Sequence, residues 1–359
     1  MNFPPFERLA QEALRVLERL ISIPSPSREE DQAADFLQSY LQQRGAEPER
    51  VGNNLLCVAP AHSDAKPSLL LNAHIDTVHP TTGWTRPPFQ PTWEGDRLYG
   101  LGSNDCGGGL VSLMEVFLFL REKEQLPYNL VFLASAEEEV SGKNGFELAR
   151  SILPPIDTAI VGEPTDMQPA VAEKGLMVLD CTAHGKAGHA ARNEGINAIY
   201  LALEDINWFR SFKFPLVSPL LGEVKMSVTM LHSGTQHNVV PDECSFVVDV
   251  RANELYSNEE LLAQIRQHVH CSVKERSTRL NSSRIDPEHP LVKAALSLGK
   301  VPFGSPTLSD QALMPFPSFK MGPGNSARSH TADEFICKDE ILGAVKDYLY
   351  LLDPQLKGL

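Results

Sequence analysis

The stretch Leu69-Leu-Leu-Asn-Ala-His-Ile-Asp76 sets the predicted fold of this 359-residue chain. Its apolar run predicts a buried strand, and the polar residues His74 and Asp76 follow where that strand ends. Side chains two apart in an extended segment point the same way, so the imidazole and the carboxylate share one side. A zinc-binding histidine usually donates its other ring N–H to a carboxylate, a role that Asp76 can fill. Taken alone, the pair is also typical of a satisfied histidine at a strand end.

Four further segments add candidate metal ligands and a candidate general base. They are Gly102-Ser-Asn-Asp-Cys-Gly-Gly-Gly109, Ala136-Glu-Glu-Glu139, Val161-Gly-Glu-Pro-Thr165 and Ser329-His330. Each has an ordinary alternative when taken alone: a phosphate-binding loop, a solvated acidic face, a loop acid and a surface histidine. Together the five segments offer two imidazoles, several carboxylates and one carboxylate to spare. That set predicts two divalent metal ions with a general base, and therefore metal-assisted hydrolysis.

Short apolar runs alternate with helical segments in the first half of the chain. The predicted strands are Leu69–Ala73, Asn129–Ala134 and Thr158–Val161, and the predicted helices between them are Gly107–Lys123 and Asn144–Ser151. This alternation predicts an α/β layer with a mostly parallel sheet. The candidate ligands follow strand ends, and open α/β sheets bind their ligands at the carboxyl ends of strands. The predicted chemistry and the predicted architecture therefore agree.

The two terminal regions are predicted to be helical. A helical period covers Phe6–Ile21, and Ser27 is predicted to cap a second helix that runs to about Gln43. Helices are also predicted over Pro290–Leu298 and Lys338–Leu351. Because His330 lies in this last part, the predicted catalytic domain is discontinuous.

The character of the sequence changes at about Lys174. Strand-like and helical segments follow in the order β-α-β-β-α-β, which is typical of a ferredoxin-like α+β unit. Its clearest strand, Cys244–Arg251, alternates apolar with polar residues. The predicted organisation is a catalytic domain formed by residues 1–173 and 285–359, with residues 174–284 inserted as a second domain.

Composition excludes several partners. The formal net charge is −14 and the pI is about 5.3, which argues against nucleic acid or an anionic membrane surface as a partner. No uninterrupted apolar run of about 18 residues predicts a membrane span, and no secretory signal is recognised at the N-terminus. The six cysteines are spread evenly without a CxxC pair, which favours a reducing, cytoplasmic location.

In this order the five segments resemble the zinc-dependent, M20-type amidohydrolase and aminoacylase superfamily. That superfamily includes acetylornithine deacetylase, succinyl-diaminopimelate desuccinylase, aminoacylases and glutamate carboxypeptidases, and the resemblance covers nearly the whole chain. It implies two metal ions, expected to be zinc, with cobalt or manganese as alternatives. The implied roles are one ion on His74 and Glu163, the other on Glu139 and His330, Asp105 as the bridge, Asp76 as the group that orients His74, and Glu138 as the general base.

The inserted region resembles the dimerisation domain of the same superfamily. The similar segments are Gly185-Lys-Ala-Gly-His-Ala-Ala191 and Gly195-Ile-Asn-Ala-Ile199. The resemblance implies a homodimer in which His189 reaches the partner subunit's site and stabilises the oxyanion. It also implies that Asn238 and Arg251 contact the substrate.

The expected reaction is hydrolysis of the amide bond of an N-acyl amino acid. N-acetylornithine or N-succinylornithine is the expected substrate, which would place the enzyme in arginine biosynthesis. The alternatives are a dipeptidase or carboxypeptidase of the same superfamily and a non-catalytic, metal-binding dimeric module. The chain departs from the family pattern at Cys106, where Asp-Met-Lys-Gly-Gly is common, and Arg192 and Arg328 are extra cations that would suit a dicarboxylic acyl group.

Overall fold

A computed structural model describes residues 5–60, 62–192 and 194–356. These residues form two compact units. Unit 1 falls within Met1–Val171, Ile285–Phe303 and Ser309–Leu359, and unit 2 within Ala172–Arg284 and Gly304–Leu308. The first and the last described residues both belong to unit 1, so unit 2 is inserted in its sequence.

Helices form where the sequence shows a 3.6-residue apolar period. The α-helices of the described residues are α1 Pro5–Ile21, α2 Asp31–Gln43, α3 Gly108–Leu120, α4 Phe146–Ala149, α5 Ala198–Ser211, α6 Asn258–His268, α7 Pro290–Ser297 and α8 Lys338–Leu352. Pro5 opens α1 and Pro290 opens α7, at positions where the missing N–H of proline costs no helical hydrogen bond.

The strands are short, and those at the centre of unit 1 are buried throughout. They are β1 Glu49–Val51, β2 Asn54–Val58, β3 Ser68–His74, β4 Thr92–Glu94, β5 Arg97–Tyr99, β6 Asn129–Ser135, β7 Thr158–Val161, β8 Ala170–Glu173, β9 Met177–His184, β10 Gly188–His189, β11 Lys225–Ser233, β12 Val239–Val240, β13 Glu243–Arg251, β14 Ser272–Glu275, β15 Ser283–Arg284, β16 Phe303–Ser305, β17 Ser318–Lys320 and β18 Phe335–Cys337.

The main sheet of unit 1 has the order β1-β2-β6-β3-β7-β17-β8. Its four central strands, β6, β3, β7 and β17, run parallel, and the strands on either side are antiparallel. In this register His74 is the partner of Ser135, so the strand ends that carry the predicted ligands meet at one edge. The α/β fold class with parallel strands at the centre is confirmed.

Helices α1, α3 and α8 pack together against this sheet. Helix α3 is buried along nearly its whole length, as expected for a core helix. Its first turn can approach β7 because two glycines meet there: a Cβ on Gly109 would lie 1.7 Å from the carbonyl oxygen of Gly162. This close approach brings the loop before α3 next to the residues that follow β7.

Unit 2 contains a four-stranded antiparallel sheet with the order β11-β13-β9-β14. Helices α5 and α6 belong to the same core. The predicted alternation is present in β13, where Cys244, Phe246, Val248 and Val250 are buried and the residues between them are not. Chain order and sheet order together give the ferredoxin-like topology that the sequence predicted. The short strand β15 pairs with the end of β8.

Two local predictions were wrong. Helix α2 begins at Asp31, and Ser27 is not its cap, because the Ser27 hydroxyl donates a hydrogen bond to the Asp76 carboxylate instead. The helix predicted over Asn144–Ser151 is the single turn of α4. Among the described residues, no helix has the length and apolar character that a membrane span requires.

Candidate metal centre

The predicted ligands in unit 1 lie together at the carboxyl edge of the parallel strands. His74 is the last residue of β3, and its Nε2 atom is 3.3 Å from Asp105 Oδ1 and 3.6 Å from Glu163 Oε1. Glu138, the predicted base, places Oε2 3.9 Å from the same nitrogen. We call His74 and Glu163 the buried half of the centre, because the His74 side chain is 1% exposed and the Glu163 side chain 12%.

The other predicted ligand pair lies on the far side of Asp105. His330 Nε2 is 2.8 Å from Glu139 Oε2 and 3.6 Å from Asp105 Oδ2. We call Glu139 and His330 the exposed half, since the His330 side chain is 53% exposed. The two oxygens of Asp105 therefore face different histidines, one in each half.

Asp76 joins the buried half to the loop that carries the glutamates. His74 Nδ1 lies 2.9 Å from the backbone oxygen of Asp76 and 3.5 Å from its carboxylate. The carboxylate accepts hydrogen bonds from the backbone N–H groups of Glu138 and Glu139 and from the Ser27 hydroxyl. The backbone oxygen of Asp76 is thus the nearer partner of His74, while its carboxylate fixes the position of the glutamates.

Burial and mutual repulsion raise the pKa of two carboxyl groups of the centre, Glu163 and Glu138. Burial, followed by the charge of Asp105, raises the pKa of Glu163 to about 8. Burial also raises the pKa of Glu138 well above its usual range. The hydrogen bond to Glu139 raises the pKa of His330 to about 9. In the absence of a cation, Glu163 and His330 therefore keep protons at neutral pH that the same side chains would have lost in water.

These residues fit a divalent metal centre. Two groups of three residues each bring one ligand atom per residue to within 4.8 Å of one another. The first group is His74, Asp105 and Glu139, and the second is His74, Cys106 and Glu163. Glu163 Oε1 is buried and has no hydrogen-bond partner among the described residues, so a bound cation would satisfy it. Imidazole and carboxylate are also ligands that zinc and related metals accept.

The sequence did not reveal the role of Glu334, a buried carboxylate that holds the Asp105 loop. Glu334 is 2% exposed, and its carboxylate accepts hydrogen bonds from the backbone N–H groups of Gly102, Asn104 and Asp105 at 2.8–3.0 Å. Burial raises the pKa of Glu334 to about 8, against the lowering effect of these hydrogen bonds. Its place four residues after His330 was the available signal.

Two further contacts that the sequence did not reveal lie beside the centre. The Asn104 side chain accepts a hydrogen bond from the Asn325 N–H and donates one to the Asn325 carbonyl, which ties the Asp105 loop to the His330 loop. Asp310 is buried and accepts a 2.6 Å hydrogen bond from Ser135 Oγ, at the end of β6. Burial raises the pKa of Asp310 to about 6.

The predicted substrate and oxyanion residues belong to unit 2. Strand β10 pairs with β12, so His189 lies opposite Val239, the residue after Asn238. The His189 ring accepts a hydrogen bond from the Ala191 N–H, and both His189 and Asn238 are exposed. The Arg251 guanidinium donates two hydrogen bonds to the Asp249 carboxylate.

The two extra cations noted in the sequence have different surroundings. Arg328 donates to Glu340 at 2.8 Å and lies over the Phe335 ring, so it has structural partners in unit 1. Arg192 is exposed, and its nearest acid is Glu194 at 3.9 Å. Arg328 is therefore a poor candidate for binding a dicarboxylic acyl group.

Curated relatives share 26–29% identity with the chain. A probable succinyl-diaminopimelate desuccinylase from Staphylococcus aureus is 26% identical and covers 92% of this chain and 94% of its own length. A [LysW]-lysine/[LysW]-ornithine hydrolase from Sulfurisphaera tokodaii is 28% identical, with 94% of both chains covered. An acetylornithine deacetylase from Pectobacterium atrosepticum is 29% identical over 76% of each chain.

Solved structures share the whole fold at lower identity. The aminopeptidase PepT from Bacillus cereus superposes with a TM-score of 0.76 at 18% identity, covering 96% of this chain and 98% of its own. A dinuclear metal-binding peptidase of the M20 family from Bacillus subtilis gives 0.75 at 17% identity, covering 98% of this chain and 100% of its own. The family model of peptidase family M20/M25/M40 matches residues 70–353, and the chain belongs to that family of amidohydrolases and peptidases.

Proposed function

We propose that the protein hydrolyses the amide bond of an N-acyl amino acid with two metal ions, N-acetylornithine being the first candidate substrate. The proposal of two metal ions rests mainly on the position of Asp105. One of its oxygens faces His74 at 3.3 Å and the other faces His330 at 3.6 Å. A carboxylate with a histidine at each oxygen is suited to bridge two ions.

The ligand assignment follows the two halves of the centre. His74 and Glu163 would hold one ion, Glu139 and His330 the other, and Asp105 both. When bound, two such ions would lower the pKa of a shared water and polarise the amide carbonyl. Zinc suits this set of nitrogen and oxygen ligands, and cobalt and manganese accept the same donors.

Glu138 is proposed as the general base. Its backbone is fixed by the hydrogen bond to Asp76, and its side chain lies beside His74 without being needed as a ligand. Its carboxylate would take a proton from the attacking water and pass it to the leaving amine.

We also propose that unit 1 is the catalytic domain and that unit 2 forms a homodimer and supplies His189 to the partner subunit's site. Strand β11 is an edge strand of its sheet and exposes Met230 and Leu231, while Tyr200 and Leu203 are exposed on α5. An open strand edge and exposed apolar side chains are typical of surfaces that pair with another chain. A histidine donor at the developing oxyanion would be worth about 3 kcal/mol.

The names of the relatives support an acylated diamino acid as substrate. They include a deacetylase, a probable desuccinylase and a lysine or ornithine hydrolase, and the structural neighbours include peptidases. Ornithine release would place the protein in arginine biosynthesis. The six unpaired cysteines favour the reducing conditions of the cytoplasm for that role.

The test is amine release from N-acetylornithine, N-succinylornithine, N-succinyl-diaminopimelate and a set of dipeptides, each with added zinc and with a chelator. We expect cleavage of an acylornithine that the chelator abolishes. Cleavage of dipeptides alone would move the protein to the peptidase branch. Two bound metals with no cleavage of any amide would favour a non-catalytic binding module.

The dimer proposal has its own test, which mixes two inactive variants. If His189 acts across the interface, a mixed dimer of Glu138→Ala and His189→Ala contains one site with both groups intact. Co-expression of the two variants should then restore activity well above that of either variant alone. No restoration in a purified mixed dimer would place His189 in its own subunit's site or outside catalysis.

A further inference from the structure

One thiol lies within the metal centre. Cys106 follows Asp105 directly and is 1% exposed. Its sulfur, a ring nitrogen of His74 and a carboxylate oxygen of Glu163 lie within 4.8 Å of one another. The thiol is therefore next to both ligands of the buried half, at a position where the family pattern commonly has methionine.

A second observation indicates that a ligand belongs at this point. Glu163 Oε1 is buried, has no hydrogen-bond partner among the described residues and lies 3.6 Å from His74 Nε2. A buried carboxylate oxygen without a partner is costly unless a cation or a donor reaches it. A metal ion at this position would contact the carboxylate and the imidazole, and it would come within reach of the sulfur.

The present contact of the thiol is weak enough to be exchanged. Its sulfur lies 3.9 Å from the backbone oxygen of His74, and a thiol is a poor donor even at shorter distances. By contrast, a thiolate is among the strongest protein ligands for zinc and cobalt. Replacing this contact with a metal–sulfur bond would therefore lose little hydrogen bonding, although burial raises the pKa of the Cys106 thiol to about 12 and the metal has to displace its proton.

We propose that Cys106 Sγ is a ligand of the metal ion held by His74 and Glu163. The inference rests on the proposed dinuclear centre and adds a sulfur donor to its buried half only. On binding, the S–H bond breaks, its proton goes to solvent, and a sulfur lone pair forms the bond to the metal. The buried half would then prefer zinc, cobalt or cadmium over manganese and magnesium, while the exposed half would keep nitrogen and oxygen donors.

Cobalt spectroscopy tests this assignment without relying on catalysis. The full-length protein is stripped of metal under reducing conditions and titrated with Co²⁺. A thiolate ligand gives a sulfur-to-cobalt charge-transfer band in the near ultraviolet, which nitrogen and oxygen ligands do not give. We expect the band to grow with one of the two cobalt equivalents and to stay unchanged during the other.

The matched variants are Cys106→Ser and Cys57→Ser. Cys57 lies on β2 in the same unit and is equally buried, so its loss should leave the band in place. Cys106→Ser should abolish the band and weaken binding of that one equivalent at least about tenfold. If Cys106→Ser does not fold, X-ray absorption of the cobalt-loaded wild-type protein reports directly whether sulfur is bound.

The outcomes separate this inference from the proposed function. Two bound cobalt ions without a charge-transfer band would overturn it and leave the dinuclear centre standing, with Cys106 as a packed thiol. A band that persists in Cys106→Ser would assign the sulfur to another cysteine and overturn it as well. Failure to bind cobalt at all would overturn the dinuclear centre itself.

Discussion

The two halves of the candidate metal centre use similar groups in different surroundings. In the buried half, His74 and Glu163 lie at strand ends in the middle of the sheet, and both side chains are largely buried. In the exposed half, His330 comes from a loop, has a backbone φ of 60° and leaves half of its side chain in solvent. A positive φ is uncommon for residues other than glycine.

The difference indicates what each half contributes. The sheet fixes the geometry of the buried half before any metal arrives, whereas the exposed half depends on two loops being held together. A buried site loses metal slowly, and an exposed one can exchange metal and admit substrate. We therefore expect the buried half to fill first and to bind more tightly.

The largest expected effect comes from removing the base while leaving both halves intact. Glu138→Gln should lower kcat by about 10²–10⁴-fold, the usual contribution of a general base. Metal content should stay at two equivalents, measured by atomic emission on the dialysed protein. The matched control is Glu122→Gln, which removes an exposed charge from the same unit and should change neither value.

Turnover of Glu138→Gln at the wild-type rate would remove Glu138 from this role. Loss of a metal equivalent in the same variant would instead make Glu138 a ligand, and the division into two halves would have to be redrawn.

Comparing the two histidines measures the difference between the halves directly. His330→Ala should keep one metal equivalent and weaken the other by about 100-fold or more. His74→Ala should weaken both equivalents and lower the thermal midpoint, because it leaves buried carboxylates without their nearest nitrogen. Calorimetric titration with zinc gives both affinities, and equal losses in the two variants would contradict the asymmetry.

Glu334 should matter for both halves, because it holds the loop that carries Asp105. Glu334→Ala leaves three buried N–H groups without their acceptor and should reduce metal affinity about 10–100-fold. Glu334→Gln keeps an acceptor oxygen of the same shape and should recover most of that loss. If glutamine and alanine behave alike, the charge of Glu334 and not its hydrogen bonds would be the important property.

The pH dependence of metal binding should also differ between the halves. Ligands must lose their protons to bind, and in the metal-free protein the pKa of Glu163 is raised to about 8 and that of His330 to about 9. Zinc affinity should therefore rise with pH, about tenfold per pH unit for each proton released. The rise should level off near pH 9 for the exposed half and continue to higher pH for the buried half, where the Cys106 thiol, with its pKa raised by burial to about 12, would also lose a proton.

Proton release measured during zinc binding checks the predicted direction of this pH dependence. Binding below pH 7 should release protons into a weakly buffered solution, and binding above pH 9 should release fewer. An affinity that falls as pH rises would show that these groups bind metal without losing protons, against the proposed ligand set.

Much of the fold could be predicted from the sequence because the signals were local. The apolar runs before His74, Glu137 and Glu163 are strands at nearly the predicted bounds, and the alternation in β13 identified its buried face. Parallel strands place their carboxyl ends at one edge, so the position of the candidate ligands after strand ends predicted that residues distant in sequence would meet. The roles of the individual ligands stay predictions until metal binding is measured.

Contacts that depend on the tertiary structure could not be predicted in this way. Ser27 has the sequence context of a helix cap but reaches Asp76 from a distant part of the chain. Glu334 is one acid among several near the C-terminus until the fold brings the Gly102–Asp105 backbone to it. Similarly, the pairing of Arg328 with Glu340 removes a cation that the sequence left available for substrate.

The hydrogen bonds between Asn104 and Asn325 span 221 residues of chain, with all of residues 172–284 lying between them in sequence. During synthesis the ribosome therefore completes unit 2 before it has made His330, Glu334 or the last helix of unit 1. Up to that moment a growing chain has the residues of the buried half but lacks those that finish the exposed half. With the proposed ligand set, the order of translation would delay hydrolytic competence until the segment that carries His330 and Glu334 has been made.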